Sequence, residues 1–360
     1  MTRARAPYLE WAKNRPAPRI DLAGSNLLAC SVEDLPGARE ALDFAGDNPN
    51  GYPPLLAAIA AHAGFSPEGV ATATGAAGAN FLACAALLEP GDSVAAEWPG
   101  YDPLVGAARM LGAEVRFFER RFEASWAIEP DRVAAAMTPR TKMVIVSDPH
   151  NPTGVLAAPD ALDEVARAAA RAGAMVLVDE VYLETVGLPG PSPPPAAARS
   201  PAFVSTSSLT KAYGLSALRC GWALASPPVA ERLRRARDIV DGSGSIPAER
   251  LSELALRRLP ALRARAARIL TANRALWRAF VGRTGLAVIE PAGTVAFPRL
   301  PDGSDGAAFA RRLLEEDGVA VAPGAFFGSP AHFRVAIGGD TARLEEGLAA
   351  IARRLGRPAS

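Results

Sequence analysis

The stretch KMVIVSDPHNPTGVLAAPDALDEVARAAARAGAMVLVD, residues 142–179, contains two short apolar runs separated by a helical pattern. The first run, 142–147, is rich in β-branched residues and ends in a turn of Pro and Gly. A helix is predicted over Pro159–Arg171, because Pro occupies its first turn and Gly173 follows its end. Met175–Val178 is the second buried strand. Such a strand–helix–strand unit predicts neighbouring parallel strands in an α/β fold.

The same alternation extends outward in both directions and predicts a large domain with a mostly parallel sheet and helices on both faces. Its further predicted elements are a helix at Gly78–Leu88, a strand at Ser93–Ala96, a helix at Asp102–Leu111 and strands at Glu114–Phe118 and Phe203–Thr206.

Beyond about residue 240 the pattern changes to an Arg-rich helical region followed by short apolar segments, one of them Val288–Glu290. This predicts a smaller α+β domain. We therefore expect an N-terminal arm that joins the small domain at 1–45, a large domain at 46–240 and a small C-terminal domain at 241–360.

Composition excludes several classes of protein. Among the 360 residues, 39 basic and 38 acidic side chains leave a net charge of +1, so a nucleic-acid partner is not indicated. No apolar run reaches the roughly 18–20 residues of a membrane helix, and the N-terminus does not resemble a secretory signal. Three cysteines and three histidines, all scattered, predict a cytoplasmic protein without a metal site. The GxSxG motif of Ser-His-Asp hydrolases is missing from the sequence.

Polar residues follow three of the predicted strands. Asn151 lies after the first strand quoted above, Asp179 after the second and Lys211 after the strand at 203–206. Ligands of open parallel sheets bind past the carboxyl ends of the strands, so an amide, a carboxylate and an amine are expected in one crevice. The other two lysines are Lys13, in a Pro-rich arm, and Lys142, at the opposite end of its strand.

Five motifs that run in the same order along the chain resemble the pyridoxal-phosphate (PLP) aminotransferases of class I and II. They are GAAGAN (Gly75–Asn80), NPTG (Asn151–Gly154), DEVY (Asp179–Tyr182), SLTKAYGLSALRCGW (Ser208–Trp222) and HFRVAIG (His332–Gly338). The resemblance implies fold type I, with a large domain built on a mostly parallel sheet of the seven-stranded type, and PLP as the cofactor.

The resemblance implies a role for each residue at the cofactor ring. Lys211 would form a Schiff base with PLP and move the substrate's α-proton. Asp179 would pair with the pyridinium nitrogen and keep the ring an electron sink. Asn151 and Tyr182 would hydrogen-bond the ring oxygen.

The resemblance also identifies residues for the cofactor phosphate. Arg219 matches the phosphate arginine, whose planar fork suits two oxygens, and Ser208 adds a hydroxyl. Gly75, Ala76 and Ala77 form a turn at a helix start, where backbone N–H groups favour an anion.

The remaining assignments concern ring stacking and substrate. Trp98 matches the aromatic residue that stacks on the ring, with Tyr101 as the alternative. Arg334 matches the arginine that binds the substrate α-carboxylate, together with Asn151, and Gly24 is expected to offer a backbone N–H to the same carboxylate.

One segment departs from the family pattern. Family members commonly carry a Tyr that reaches the partner subunit's phosphate, but this sequence has Phe44–Gly46 at that position, with Tyr52 as a possible substitute. The usual Leu-Arg of this segment is Leu55-Leu56. Because the family's pocket is completed by a second subunit, we expect a homodimer.

The resemblance leaves three functions to compare. The leading hypothesis is transamination between an amino acid and a 2-oxo acid by a ping-pong route. A PLP-dependent decarboxylase or β-eliminating lyase shares the fold and is the alternative. A ligand sensor in a transcription factor would need a preceding DNA-binding domain, and the aminotransferase-like region begins near the first residue of this sequence.

Overall fold

The computed structural model describes residues 5–356. Residues 1–4 and 357–360, the ends of the predicted first and last domains, lie outside it. Within the described residues the helices are α1 Pro7–Asn14, α2 Ala38–Ala41, α3 Pro53–Ala63, α4 Gly75–Leu87, α5 Asp102–Met110, α6 Pro130–Ala136, α7 Pro159–Arg171, α8 Leu209–Tyr213, α9 Pro227–Val240, α10 Ile246–Arg257, α11 Leu259–Thr284, α12 Gly306–Asp317 and α13 Thr341–Arg354. The strands are β1 Ile20–Asp21, β2 Val70–Thr74, β3 Ser93–Trp98, β4 Glu114–Glu119, β5 Thr141–Ser147, β6 Met175–Asp179, β7 Phe203–Ser208, β8 Cys220–Leu224, β9 Val295–Ala296, β10 Val319–Ala320, β11 Ala322–Pro323 and β12 Phe333–Ala336.

The main sheet has seven strands in the order β2-β8-β7-β6-β5-β3-β4. Strand β8 runs antiparallel to both of its neighbours, and the other pairs are parallel. The predicted α/β class and mostly parallel seven-stranded sheet are therefore confirmed. The register pairs Ser147 with Asp179 and Asp179 with Thr206, so the carboxyl ends of β5, β6 and β7 lie side by side.

One local prediction needs correction. Helix α4 begins at Gly75, three residues before the predicted Gly78, because Gly75 adopts φ +71° and turns the chain directly from β2 into the helix. The apolar segment Val288–Glu290 forms no strand; next to it Ala287 makes only an isolated bridge to Arg299.

Apolar clusters fill both faces of the main sheet, one around Val144 and Val176 and the other around Ile145 and Leu177. A third large cluster combines Ile20 and Leu22, from the N-terminal region, with residues of α11 to α13. In this region β1 pairs with β10, and β11, β12 and β9 form a small antiparallel sheet. The division of the chain at residues 45 and 240 stays a prediction.

Between residues 5 and 356, no helix is both long and apolar enough to cross a membrane. The same part of the chain contains no group of three or more His, Cys, Asp or Glu side chains arranged to hold a metal ion.

Candidate active site

The carboxyl edge of the main sheet carries the three strand-end residues that the sequence singles out. Asp179 is the last residue of β6, and Asn151 lies in the turn after β5. Lys211 lies in α8, a single short helix that follows β7 directly. Because β5, β6 and β7 are parallel and in register, the residues that follow them lie at the same edge of the sheet.

The Lys211 amine contacts the N-terminal region of the chain. Its Nζ donates to Ser25 Oγ and to Asn26 Oδ1, both at 2.8 Å. Burial, with a smaller contribution from Arg334, lowers the pKa of Lys211 to about 8, and Asp179 opposes this shift. A pKa near 8 leaves a useful fraction of neutral, nucleophilic amine at physiological pH.

Asp179 is buried and held by two donors. Asn80 Nδ2 donates to Asp179 Oδ2 at 3.0 Å, and the Val181 backbone N–H donates to Oδ1 at 3.3 Å. Burial raises the pKa of Asp179, whereas the bond from Asn80 lowers it. No motif in the sequence points to Asn80, and its only signal is a lone amide inside an otherwise apolar helix.

Arg334 is fully buried in β12. Its Nη1 donates to Asn151 Oδ1 at 2.8 Å, and its Nη2 donates to the Tyr8 hydroxyl at 2.6 Å and to the Ala23 carbonyl at 2.8 Å. Gly24 presents its carbonyl oxygen to Arg334 at 3.4 Å. Tyr8, from α1, is a site residue that sequence reasoning missed.

Arg219 and the Gly75 turn contact each other directly. The Gly75 N–H donates to the Arg219 carbonyl at 2.8 Å, and Arg219 Nη2 donates to the Thr74 carbonyl at 3.4 Å. A Cβ on Gly75 would collide with the Arg219 guanidinium, so this turn requires glycine. Ala76 and Ala77 continue the first turn of α4.

Three buried polar atoms near these residues have no hydrogen-bond partner: the Tyr182 hydroxyl, Thr210 Oγ1 and Arg334 Nε. Burial raises the pKa of Tyr182 to about 12, and the nearby Ser25 side chain opposes this shift without forming a hydrogen bond to the Tyr182 hydroxyl. Buried polar atoms are normally paired, so unpaired ones beside the half-buried Lys211 amine indicate room for a polar ligand. A cofactor ring oxygen, a phosphate and a carboxylate would supply the missing partners, so the residues fit PLP and an amino acid.

Ser208, the remaining predicted phosphate ligand, is the N-cap of α8, where its Oγ accepts from the Thr210 N–H at 3.4 Å. Thr210, the residue immediately before Lys211, is a further hydroxyl-bearing residue that the sequence motifs did not single out.

The two aromatic candidates for ring stacking lie in different surroundings. The Trp98 ring packs on Phe117 with centroids 4.9 Å apart. The Tyr101 ring lies edge-on to Tyr8 at 6.1 Å, and burial, reinforced by nearby Tyr182, raises the pKa of Tyr101 well above its usual value. Tyr101 therefore lies near Tyr182 and Asp179, and the Trp98 ring contacts Phe117.

A cavity of about 710 Å³ lies elsewhere and is lined by residues that include His62, Glu184 and Arg263. The Glu184 carboxylate is paired with His62 at 2.7 Å, with the Tyr213 hydroxyl at 2.8 Å and with Arg263 at 2.9 Å. The Glu184 carboxylate already has protein partners, so it does not indicate a ligand in this cavity. The candidate site therefore stays at Lys211.

Comparisons with known proteins agree with this geometry. Residues 40–351 match the family described as aminotransferase class I and II. Capreomycidine synthase of Streptomyces vinaceus is 34% identical over 309 residues, which cover 84% of this chain and 78% of that protein. The probable N-succinyldiaminopimelate aminotransferase of Mycobacterium tuberculosis is 32% identical over 297 residues, covering 78% of this chain and 74% of that protein.

A solved PLP-dependent aminotransferase from Streptococcus suis superposes with a TM-score of 0.91 at 26% identity and covers 99% of this chain and 98% of that one. Aminotransferase names recur among the relatives, which favours transamination over the decarboxylase or lyase alternative. The chain belongs to the class I and II aminotransferases, which are PLP-dependent enzymes of fold type I.

Proposed function

We propose that this aminotransferase works through Lys211, with an amino acid as donor and a 2-oxo acid as acceptor in two half-reactions. The observation that carries the proposal is the meeting of the Lys211 amine and the Asp179 carboxylate with three unpaired buried polar atoms. Bound PLP supplies an electron sink that makes the substrate's α-proton acidic. The Lys211 amine, once free, takes up that proton and returns it.

The other residues bind and orient. Asp179 would pair with the ring nitrogen of bound PLP, and Tyr182 and Asn151 would hydrogen-bond its ring oxygen. Arg334 holds the α-carboxylate through its free Nε, which is buried and aimed at no protein acceptor. Gly24 offers Arg334 a carbonyl, so its predicted N–H contact with the substrate carboxylate remains a proposal.

The phosphate and the ring face have their own candidates. We propose that Arg219, Ser208 and Thr210 hold the phosphate together with the first turn of α4. We propose that the Tyr101 ring stacks on the cofactor ring, because Tyr101 lies beside Tyr8 and close to Tyr182.

Borohydride reduction of the PLP-loaded protein, followed by peptide mass mapping, tests the role of Lys211. We expect one pyridoxyl label, on the peptide that carries Lys211. Lys211→Ala should lose both the label and amino-group transfer, whereas the control Lys142→Ala should keep both. A label on another residue, or none, would contradict the role of Lys211. Release of CO₂, or of free ammonia together with pyruvate, without transfer of the amino group to an acceptor 2-oxo acid would contradict transamination.

The donor and acceptor need a direct measurement. The two curated relatives named above carry different substrate names, so neither substrate is transferred to this chain. A spectrophotometric screen of amino donors in the first half-reaction identifies the donor, and the same screen with 2-oxo acids identifies the acceptor.

We infer a homodimer from exposed apolar residues, two of which lie at the end of α9 next to the turn at Gly75. Phe44, Ile239 and Val240 are 85%, 88% and 53% exposed. Thr74 Oγ1 donates to Asp241 Oδ2 at 3.0 Å, which joins the end of α9 to the turn at Gly75. Covering such side chains favours association.

Light scattering should give twice the chain mass of 37.4 kDa. Ile239→Asp should shift the protein towards monomer, whereas Met110→Asp, at a residue 63% exposed on α5, should not. A monomeric wild-type protein at micromolar concentration would contradict the inference.

We also propose a cytoplasmic location. Cys30, Cys84 and Cys220 are unpaired, and burial raises the pKa of both Cys84 and Cys220 to about 12. Unpaired thiols are typical of a reducing compartment. Thiol titration of the denatured protein from its native cells should count three free thiols per chain; fewer would indicate an oxidising location.

A further inference from the structure

Asn80 is the one polar side chain of α4, whose sequence is GAAGANFLACAAL, and it is 6% exposed. It faces the carboxyl ends of β6 and β7. Its Nδ2 donates to Asp179 Oδ2 at 3.0 Å, and its Oδ1 accepts from the Thr206 hydroxyl at 2.6 Å. A buried amide among alanines and leucines is costly unless both of its ends are paired, and here both are.

The chemistry of the two partners fixes which way the amide points. An ionised carboxylate only accepts hydrogen bonds, so the amide nitrogen must face Asp179. The amide oxygen is then left for a donor, and the Thr206 hydroxyl supplies one. Thr206 itself is fixed, because its backbone carbonyl accepts from the Glu180 N–H at 2.8 Å and it pairs with Asp179 in the sheet register.

We propose that Asn80, oriented by Thr206, is a positioning residue that keeps Asp179 ionised and aimed at the ring nitrogen of the cofactor. This inference rests on the proposed function, since it assumes that Asp179 faces that nitrogen. Asn80 acts through Asp179 and has no contact with the reacting atoms in this account.

The need for such a residue follows from burial. A carboxylate removed from water takes up a proton unless donors or a positive charge stabilise its ionised form. Burial raises the pKa of Asp179, and the bond from Asn80 is the largest opposing influence, ahead of the Val181 N–H and the Lys211 charge. The other titratable groups coupled to Asp179 are Glu180, Tyr182 and Tyr101.

A protonated, neutral Asp179 could not stabilise a positive ring nitrogen. Loss of the Asn80 amide should therefore lower the protonation of that nitrogen as well as the affinity for the cofactor. Hydrogen bonds to charged groups are strong, so we expect PLP affinity to fall about 10- to 100-fold.

The test uses full-length protein loaded with PLP that carries ¹⁵N in its ring. The ¹⁵N chemical shift at pH 7.5 reports protonation of the ring nitrogen without reference to activity. The wild type should show a protonated nitrogen, and Asn80→Leu a largely unprotonated one. Thr206→Val, which removes only the hydroxyl, should shift the signal in the same direction by less, and Thr206→Ser should restore it.

Asn273→Leu is the matched control. Asn273 is a fully buried amide in α11 whose Nδ2 donates to the carbonyls of Ile337 at 2.9 Å and Gly339 at 2.8 Å. This variant should lose thermal stability and keep the wild-type ¹⁵N shift. A purely structural role for Asn80 would make both Leu variants behave alike.

Two results would overturn the inference: a wild-type ¹⁵N shift in Asn80→Leu that has bound PLP, or, if that variant does not fold, a wild-type shift in Thr206→Val. Failure of the proposed function looks different, because the wild-type protein itself would then bind no labelled PLP at Lys211.

Discussion

Glu97 and Arg120 form an ion pair inside the protein, with Arg120 Nη1 2.8 Å from Glu97 Oε2 and side chains 3% and 0% exposed. The other carboxylate oxygen of Glu97 accepts from the Ser147 N–H at 2.7 Å and from Ser147 Oγ at 2.6 Å. Ser147 Oγ in turn accepts from the Asn151 N–H at 2.9 Å. The buried pair therefore supports the turn that presents Asn151 to Arg334.

Removing one member of this pair should be costly. Glu97→Leu leaves the buried Arg120 charge without a carboxylate partner, and we expect a loss of about 3–5 kcal/mol in the free energy of unfolding, measured with urea. The control Glu114→Leu breaks an exposed pair with Arg140, at 2.8 Å, and should cost less than about 1 kcal/mol. Equal losses in the two variants would show that the buried pair does not hold the turn.

Gly75→Ala should weaken cofactor binding. The new methyl group would collide with the Arg219 guanidinium and displace the cation proposed for the phosphate, so PLP affinity should fall about tenfold or more. Gly64→Ala is the control, because Gly64 has a similar φ of +67° but open space around its Cβ position. It should cost about 1–2 kcal/mol of stability and leave PLP affinity unchanged. Absorbance titration with PLP measures both affinities.

Tyr101→Leu and Trp98→Leu should show which aromatic ring stacks on the cofactor and which only packs inside the protein. Loss of an aromatic stack is worth about 0.5–1.5 kcal/mol, so Tyr101→Leu should weaken PLP binding severalfold. Trp98→Leu removes the contact with Phe117 and should lower the melting temperature without changing PLP affinity. The opposite pattern would return the stacking role to Trp98.

The charge state of Lys211 should make the stability of the cofactor-free protein depend on pH. Burial lowers the pKa of Lys211 from 10.5 to about 8, so the unfolded chain binds more protons between these two values. The penalty for the buried charge is complete below pH 8 and disappears as the pH rises towards 10.5. The free energy of unfolding of Lys211→Met should therefore exceed that of the wild type by about 1–3 kcal/mol at pH 7, and the difference should be smaller at pH 10. Unfolding in urea at both pH values measures this, with Lys142→Met as the control; a difference that does not change with pH would contradict the buried charge.

The sheet and its strand-end residues could be predicted because both follow from short-range patterns. Buried strands such as β5 and β6 appear as apolar runs, and parallel topology brings the residues after them to one edge. The choice between Trp98 and Tyr101 could not be made in the same way, because the two are separated by a Pro-Gly turn that sets the direction of each side chain.

Partners that are distant in sequence leave no local signal. Asn80 meets Asp179 across 99 residues, and Tyr8 meets Arg334 across 326. Neither contact can be predicted from a periodicity or spacing in the sequence, because each forms only in the complete fold.

The bond between Tyr8 and Arg334 bears on how the protein should be prepared. Helix α1 begins at Pro7, so an affinity tag fused ahead of residue 1 lies close to a helix that helps hold Arg334, the arginine proposed to bind substrate. Such a tag can disturb Arg334 while the sheet and the Lys211 region stay intact. Michaelis constants from N-terminally tagged material would then report the tag as well as the enzyme, and a C-terminal tag is the sounder choice for kinetics.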